Sequence, residues 1–361
     1  MKKHLIAAAV AAAVAVPATA QVTITGIVDV GMGKIDTGAT SSASRFSGTG
    51  NGLSQSEIRF SGSEDLGGGL KAGFSIHQEF NASNGAESGK ATNNPTGATT
   101  LVRDSLQNTF VSLSGGFGTV QVGRANHGAR EAGGAGRLHG NFGRVDGTIF
   151  RNLGVDVDNT VNYTSPTFSG FTFGASFGGK QTGADIGAAT TADVANTKTQ
   201  GLVARYASGP LTVGLSRLER DETNTTTTRK TDYLGVTYNA GVAILGVVHT
   251  TNDANKNAAA STTAATLEYA ATAISLAYPM GNTSLLVNYT EYDAKSVTNY
   301  DAKGVSFGIQ NALSKRTTLY ALYSKTTNQA NATVNHGGSA TTTPSAGLDP
   351  SIFNIGVRHS F

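Results

Sequence analysis

Phe353-Asn-Ile-Gly-Val-Arg-His-Ser-Phe361 closes the chain, with Phe353, Ile355, Val357 and Phe361 on one parity and Asn354, Gly356, Arg358 and Ser360 on the other. Successive side chains of a strand point to opposite faces, so this is a strand with one apolar and one polar side that stops on an aromatic residue. Working back from it, the same pattern recurs. Val22, Ile24, Gly26, Val28 and Val30 alternate with Thr23, Thr25, Ile27 and Asp29. Ile58 and Phe60 alternate with Glu57, Arg59 and Ser61, and Leu70, Ala72, Phe74 and Ile76 with Lys71, Gly73, Ser75 and His77. Leu211, Val213 and Leu215, and later Leu319, Ala321 and Tyr323, repeat it.

About 16 such strands can be read, and the connections between them alternate between short and long. The short ones are rich in turn residues: Glu64 to Gly69, Gly115-Gly116, Ser165-Pro-Thr167, Ser208-Gly-Pro210, Asn239-Ala-Gly241, Pro279 to Asn282 and Ser314-Lys315. The long ones are polar: 34–52, 81–104, 125–158, 180–199, 220–229, 251–263, 294–300 and 326–349. Seven short turns and eight long loops make an even-stranded meander with both ends on the short-turn side. That is the layout of an outer-membrane β-barrel, with short periplasmic turns and long extracellular loops. Closure requires the last strand to pair with the first, because an open edge in lipid leaves backbone groups unsatisfied. Phe361, Val357 and Ile355 are the residues expected to carry that closure, and the terminal strand is the one expected to meet the barrel-assembly machinery.

Met1-Lys-Lys-His4, the apolar run Leu5–Val16, Pro17 and Ala18-Thr-Ala20 read as a secretory signal peptide over residues 1–20, cleaved before Gln21. Twelve apolar residues are too few for a spanning helix, which needs about 20. Residues 21–361 are then a single barrel domain in the bacterial outer membrane. Without Lys2 and Lys3 the chain holds 25 basic and 24 acidic residues, so its net charge does not argue for nucleic acid. It has no cysteine, and the fold must hold without disulfides.

Several segments resemble the general porins of beta-proteobacterial, Gram-negative type. These are Val22-Thr-Ile-Thr-Gly-Ile-Val-Asp29, Ser61-Gly-Ser-Glu-Asp-Leu-Gly-Gly-Gly-Leu-Lys-Ala72, the hairpin Phe110 to Arg124, Asn162-Tyr-Thr-Ser-Pro-Thr-Phe-Ser-Gly-Phe171 and Gly356-Val-Arg-His-Ser-Phe361. The resemblance runs over the whole mature chain. It implies a 16-stranded barrel, a homotrimer, and a third loop folded into the lumen as a constriction. In that family an arginine commonly stands at the positions of Glu57 and Gln107, and the chain departs there.

The third loop is expected at 125–158. From 124 to 151 it holds Arg124, Arg130, Arg137, Arg144 and Arg151 against Glu131 and Asp146, a local balance of +3. Charges at a narrow, low-dielectric point act strongly, and rings of arginine favour anions. Some of these arginines are alternatively expected at the outer mouth or on lipopolysaccharide phosphates. On the wall, Arg59, Glu57 and Lys71 have lumen parity, and Arg59, two residues from Glu57 on the same face, could supply the missing cation.

Gly174-Ala-Ser-Phe-Gly178 and Gly304-Val-Ser-Phe-Gly308 match the G-x-S-x-G nucleophile elbow. That motif needs a strand-to-helix turn, whereas both matches lie within alternating strands. No histidine has metal-binding spacing, and no cofactor is expected. The sequence therefore predicts a porin: a water-filled channel for passive diffusion of small hydrophilic solutes, with a preference for anions. Its expected surroundings are outer-membrane lipid and lipopolysaccharide. A substrate-specific pore for phosphate or organic acids and a surface adhesin are the alternatives.

Overall fold

The computed structural model describes residues 21–38, 42–47, 52–83, 106–125, 134–138, 157–179, 198–221, 228–253, 268–295, 297–334 and 344–361. The expected signal peptide, and Arg130, Glu131, Arg144, Asp146 and Arg151, lie outside them. The described residues form β1 (Thr23–Asp36), β2 (Ser42–Ser47), β3 (Ser56–Gly67), β4 (Leu70–Phe80), β5 (Leu106–Gly115) and β6 (Gly118–Ala125). There follow β7 (Val157–Thr164), β8 (Phe171–Gly178), β9 (Thr199–Ser208), β10 (Leu211–Asp221), β11 (Thr228–Asn239) and β12 (Ile244–Asp253). The last are β13 (Tyr269–Met280), β14 (Thr283–Ala294), β15 (Ala302–Ala312), β16 (Thr317–Asn328) and β17 (Ser351–Ser360).

Every strand pairs antiparallel with its neighbours, and β17 pairs with β1 from Ile27↔Ser360 to Asp36↔Ser351, which closes the sheet. β2 and β3 follow one another along a single edge of β1: Gly31–Asp36 face β2, and Thr23–Ile27 face β3. They fill one place in the wall, so seventeen strands make a barrel of sixteen. A closed barrel leaves no edge, which is the condition for spanning lipid with strands.

Burial is inverted relative to a soluble protein. Ile24, Met32, Val111, Leu202 and Ile355 are more than half exposed on the outer face, while Ser56, Thr160, Ser306, Thr326 and Asn354 are almost fully enclosed on the inner one. A lumen ringed by sixteen strands is too wide for side chains alone to fill. Loop segments occupy part of it. Tyr300, Ala332 and Val334 pack on the inward Tyr269, Ala271, Tyr292 and Ala302. Asn328 pins that cover by donating to the carbonyls of Val334 and Leu348 and accepting from the Val334 amide.

β5 breaks its alternation at a bulge. Asn108 has φ 38°, and the register with β4 slips between Ser75↔Phe110 and His77↔Gln107. Directly opposed residues share a face, so both Phe110 and Gln107 look into the lumen although their numbers differ by three.

Candidate functional site: the lumen wall and its loops

On the inner faces of β3, β4 and β5, Glu57 stands opposite Glu79, Arg59 opposite His77, and His77 opposite Gln107. His77 Nε2 is 2.9 Å from Glu57 Oε2, and Arg59 Nη2 is 3.3 Å from His77 Nδ1. An arginine can only donate; Nδ1 therefore accepts and Nε2–H is left to donate to the carboxylate. Arg59 reaches Glu57 at 4.0 Å and keeps 40% of its side chain exposed. Ligand atoms of Glu57, His77 and Glu79 lie within 4.8 Å of one another, a spacing that one divalent ion could bridge. The guanidinium on the same imidazole opposes such an ion.

At the seam where the barrel closes, Asp29 of β1 stands directly opposite Arg358 of β17. Tyr320 reaches from β16 across β17 and donates its hydroxyl to Asp29 Oδ1 at 2.6 Å. It can do so because β17 has Gly356 beneath the crossing, where a Cβ would meet the phenol. Asp29 Oδ2 accepts from the Ser54 amide at 2.8 Å and the Ser54 hydroxyl at 3.3 Å, and the Asp29 amide donates to Ser56 Oγ at 3.0 Å. Arg358 Nε donates to Ser54 Oγ at 2.8 Å. The buried Asp29 carboxyl group thus ties β1 to β16 and to Ser54, just before β3, and Ser54 in turn holds Arg358 of β17. Tyr320→Phe removes a donor without changing shape, and a buried bond to such a group is worth about 1.5–3 kcal/mol. The variant is expected to lose the folded band at a lower temperature when heat-modifiable migration is followed on SDS gels.

The segment 134–138, reached after β6, lies inside the barrel against β11 and β12. Tyr233 donates its hydroxyl to the Ala135 carbonyl at 2.7 Å, and the Gly136 amide donates to Thr237 Oγ1 at 2.7 Å. Gly235 and Gly246 form the bed: a Cβ on the first would collide with the Ala135 carbonyl, and on the second with the Gly136 carbonyl and Leu138. Arg137 is half-buried within this segment.

The other residues singled out in the sequence are dispersed. Arg124 is half-buried at the end of β6, where the register with β7 shifts between Gly123 and Ala125. Lys71 is exposed beside the turn end of β4, six residues below His77 on the same face. At the closing strand, Gly26 and Phe361 exchange backbone hydrogen bonds of 3.1 and 3.0 Å. Val357 and Ile355 face outward opposite Val30 and Met32. Ser176 and Ser306, from the two elbow-like motifs, sit mid-strand and inward, the second bonded to Ser324 Oγ at 2.9 Å.

Among the residues whose side chains are described, four inward arginines are absent from the sequence-derived set: Arg205, Arg220, Arg229 and Arg358. Arg205 and Arg358 were readable, since each has the parity opposite to apolar neighbours (Leu202, Ala204 and Tyr206; Ile355 and Val357). Arg220 and Arg229, directly opposed across β10 and β11, were not. There the inner face includes the apolar Leu218 and Tyr233, and the outer face turns polar at Arg217 and Asp232, whose bidentate pair closes at 2.8 Å.

The sequence profile of Gram-negative porins matches residues 7–331. The chain belongs to the Gram-negative porin family. It is 31% identical to outer membrane porin protein 32 of Delftia acidovorans over the full length of both chains. An outer membrane porin protein of Bordetella pertussis is 34% identical over 67% of this chain and 65% of its own. Among solved structures, the anion-selective porin from Comamonas acidovorans superposes with a TM-score of 0.72 at 26% identity, covering 95% of this chain and all of that one. OmpT of Vibrio cholerae, solved in a trimer form, shares the fold at 14% identity and a TM-score of 0.62, over 95% and 99% of the two chains. This porin is an outer-membrane β-barrel and a passive channel.

Proposed function

We propose that the channel prefers anions, that 125–158 is its constriction loop, and that Arg124, Arg130, Arg137, Arg144 and Arg151 bias it against Glu131 and Asp146. The observation that carries this is the segment 134–138, with Arg137 in it, hydrogen-bonded to the inner face of β11 and bedded against β12. A loop held there brings its charge to permeating ions at low dielectric. Arg59, Glu57 and Lys71 add to the wall. The anion selectivity named for the Comamonas acidovorans porin supports the same reading.

The working unit is a homotrimer, supported by the trimer form of a relative. The chemistry is permeation and not catalysis, since both candidate serines lie within strands. Residues 1–20 are a cleaved signal peptide, and N-terminal sequencing of the membrane form should begin at Gln21. Phe361, Val357 and Ile355 close the barrel and present its last strand to the assembly machinery. The outer face carries Lys230–Glu219, Lys303–Glu291 and Lys325–Asp349 pairs, whose ammonium groups suit lipopolysaccharide phosphates.

In planar bilayers, a salt gradient should give reversal potentials of anion-preferring sign. Arg137→Glu with Arg144→Glu should lower the chloride-to-potassium permeability ratio several-fold, a change of about 1 kcal/mol in relative barrier, with the folded gel band kept. A wild-type ratio at or below one, or an unmoved ratio in the double variant, ends this reading.

A further inference from the structure

We infer that Arg358 is a second anion-selecting charge on the lumen wall, positioned by Ser54, and that it supplies from β17 the cation missing at Glu57 and Gln107. The inference rests on the anion-preferring reading above.

Arg358 shares the inner face of β17 with Asn354 and Gly356, while Ile355 and Val357 face outward. Its Nε is committed to Ser54 Oγ at 2.8 Å. That bond orients the planar guanidinium and uses one of its five N–H donors, leaving the two Nη groups to meet ions. Ser54 is itself immobilised, since its amide and hydroxyl both donate to Asp29 Oδ2. The remaining Asp29 oxygen accepts from Tyr320 at 2.6 Å. The carboxyl group that stands opposite Arg358 is therefore used up by protein donors and only 2% exposed. Arg358 is half-buried and keeps part of its surface accessible. Arg59 is differently placed: Glu57 lies 4.0 Å away and His77 takes one of its donors, whereas Arg358 acts on the Asp29 and Glu57 charges at longer range. Ser54, Asp29 and Tyr320 act through Arg358 and are positioning residues.

A purely structural role, stapling the seam, makes a different prediction. Arg358→Gln keeps a donor for Ser54 and loses the charge; Arg358→Lys keeps the charge and loses the planar fork. Reversal potentials of refolded full-length channels in a potassium chloride gradient separate the two roles. The permeability ratio should fall by about twofold or more in Arg358→Gln, as expected for one fixed charge in a focusing lumen, and stay near wild type in Arg358→Lys. Ser54→Ala, which leaves β17 untouched, should lower the ratio by a smaller factor. A folded Arg358→Gln channel with the wild-type ratio, or an equal fall in Arg358→Lys, overturns the inference. Should Arg358→Gln not assemble, a wild-type ratio in Ser54→Ala overturns it instead. Absence of anion preference in the wild-type channel would instead remove the broader reading, so the two failures are distinguishable.

Discussion

Gly235→Leu is expected to widen the open channel. Gly235 looks into the lumen between Tyr233 and Thr237, and the Ala135 carbonyl occupies the space a side chain would need. The loop cannot yield locally, because Gly136 is held at φ 81° with its carbonyl against Gly246 on the next strand. The strand cannot yield either, since β11 is paired along its length on both edges. What gives way is the docking of 134–138, held by hydrogen bonds from Tyr233 and to Thr237. Each such bond is worth about 1 kcal/mol net, and the freed groups can be hydrated in a water-filled lumen. A clash with backbone outweighs that.

Conduction is set by the narrowest section, so single-channel conductance should rise by about 1.5- to 2-fold. Anion preference should fall with it as Arg137 leaves the wall. Gly246→Leu should act alike, and Thr237→Val, which removes one acceptor and adds no clash, should act in the same direction but less. An unchanged conductance in folded Gly235→Leu would mean that this segment does not limit the pore.

The barrel was legible because the signal is redundant: many strands alternate, and the connections alternate in length as well. Legibility failed where a second layer covers the wall. Tyr233, Tyr269, Tyr292 and Tyr320 are apolar-bodied residues facing the lumen, against the simple rule, because loop segments or a buried carboxyl group receive them. No local pattern announces that Asp29 will meet a tyrosine 291 residues away. Asp29 itself was readable as lumen-facing, and so was Arg358, but their joint use depends on closure of the barrel and on the short path of Ser54 back to β1. The alternation of β5 breaks at one inserted residue, Asn108, and the strand stays paired on both sides of it. The arginines of the third loop could be counted in sequence, yet counting could not say which would be drawn to the wall. The glycines at 235 and 246 decide where the segment around Arg137 can lie, and they belong to strands about a hundred residues later.

Ile274→Arg should destabilise the barrel by roughly 2–4 kcal/mol, the cost of an arginine facing the bilayer midplane. Ile274 is outward and 51% exposed, six residues from the turn end of β13 at Met280, with Val247 and Tyr289 directly beside it. The porin already shows how an outward arginine is tolerated. Arg217 shares the outer face of β10 with Leu215, and Asp232 stands directly opposite on β11, where both carboxylate oxygens are bonded at 2.8 Å. Pairing removes the isolated charge that lipid penalises. Val247 is opposed to Ile274 as Asp232 is to Arg217, so adding Val247→Asp to Ile274→Arg should recover part of the loss, whereas Val247→Asp alone should not stabilise. Urea unfolding in lipid vesicles measures all four combinations, and the coupling between the two sites is the informative quantity. If Ile274→Arg leaves the unfolding midpoint unmoved, this stretch of wall does not face lipid hydrocarbon. If the single variant is costly but the double shows no coupling, the Arg217–Asp232 pair owes its tolerance to the headgroup region and not to its own neutrality.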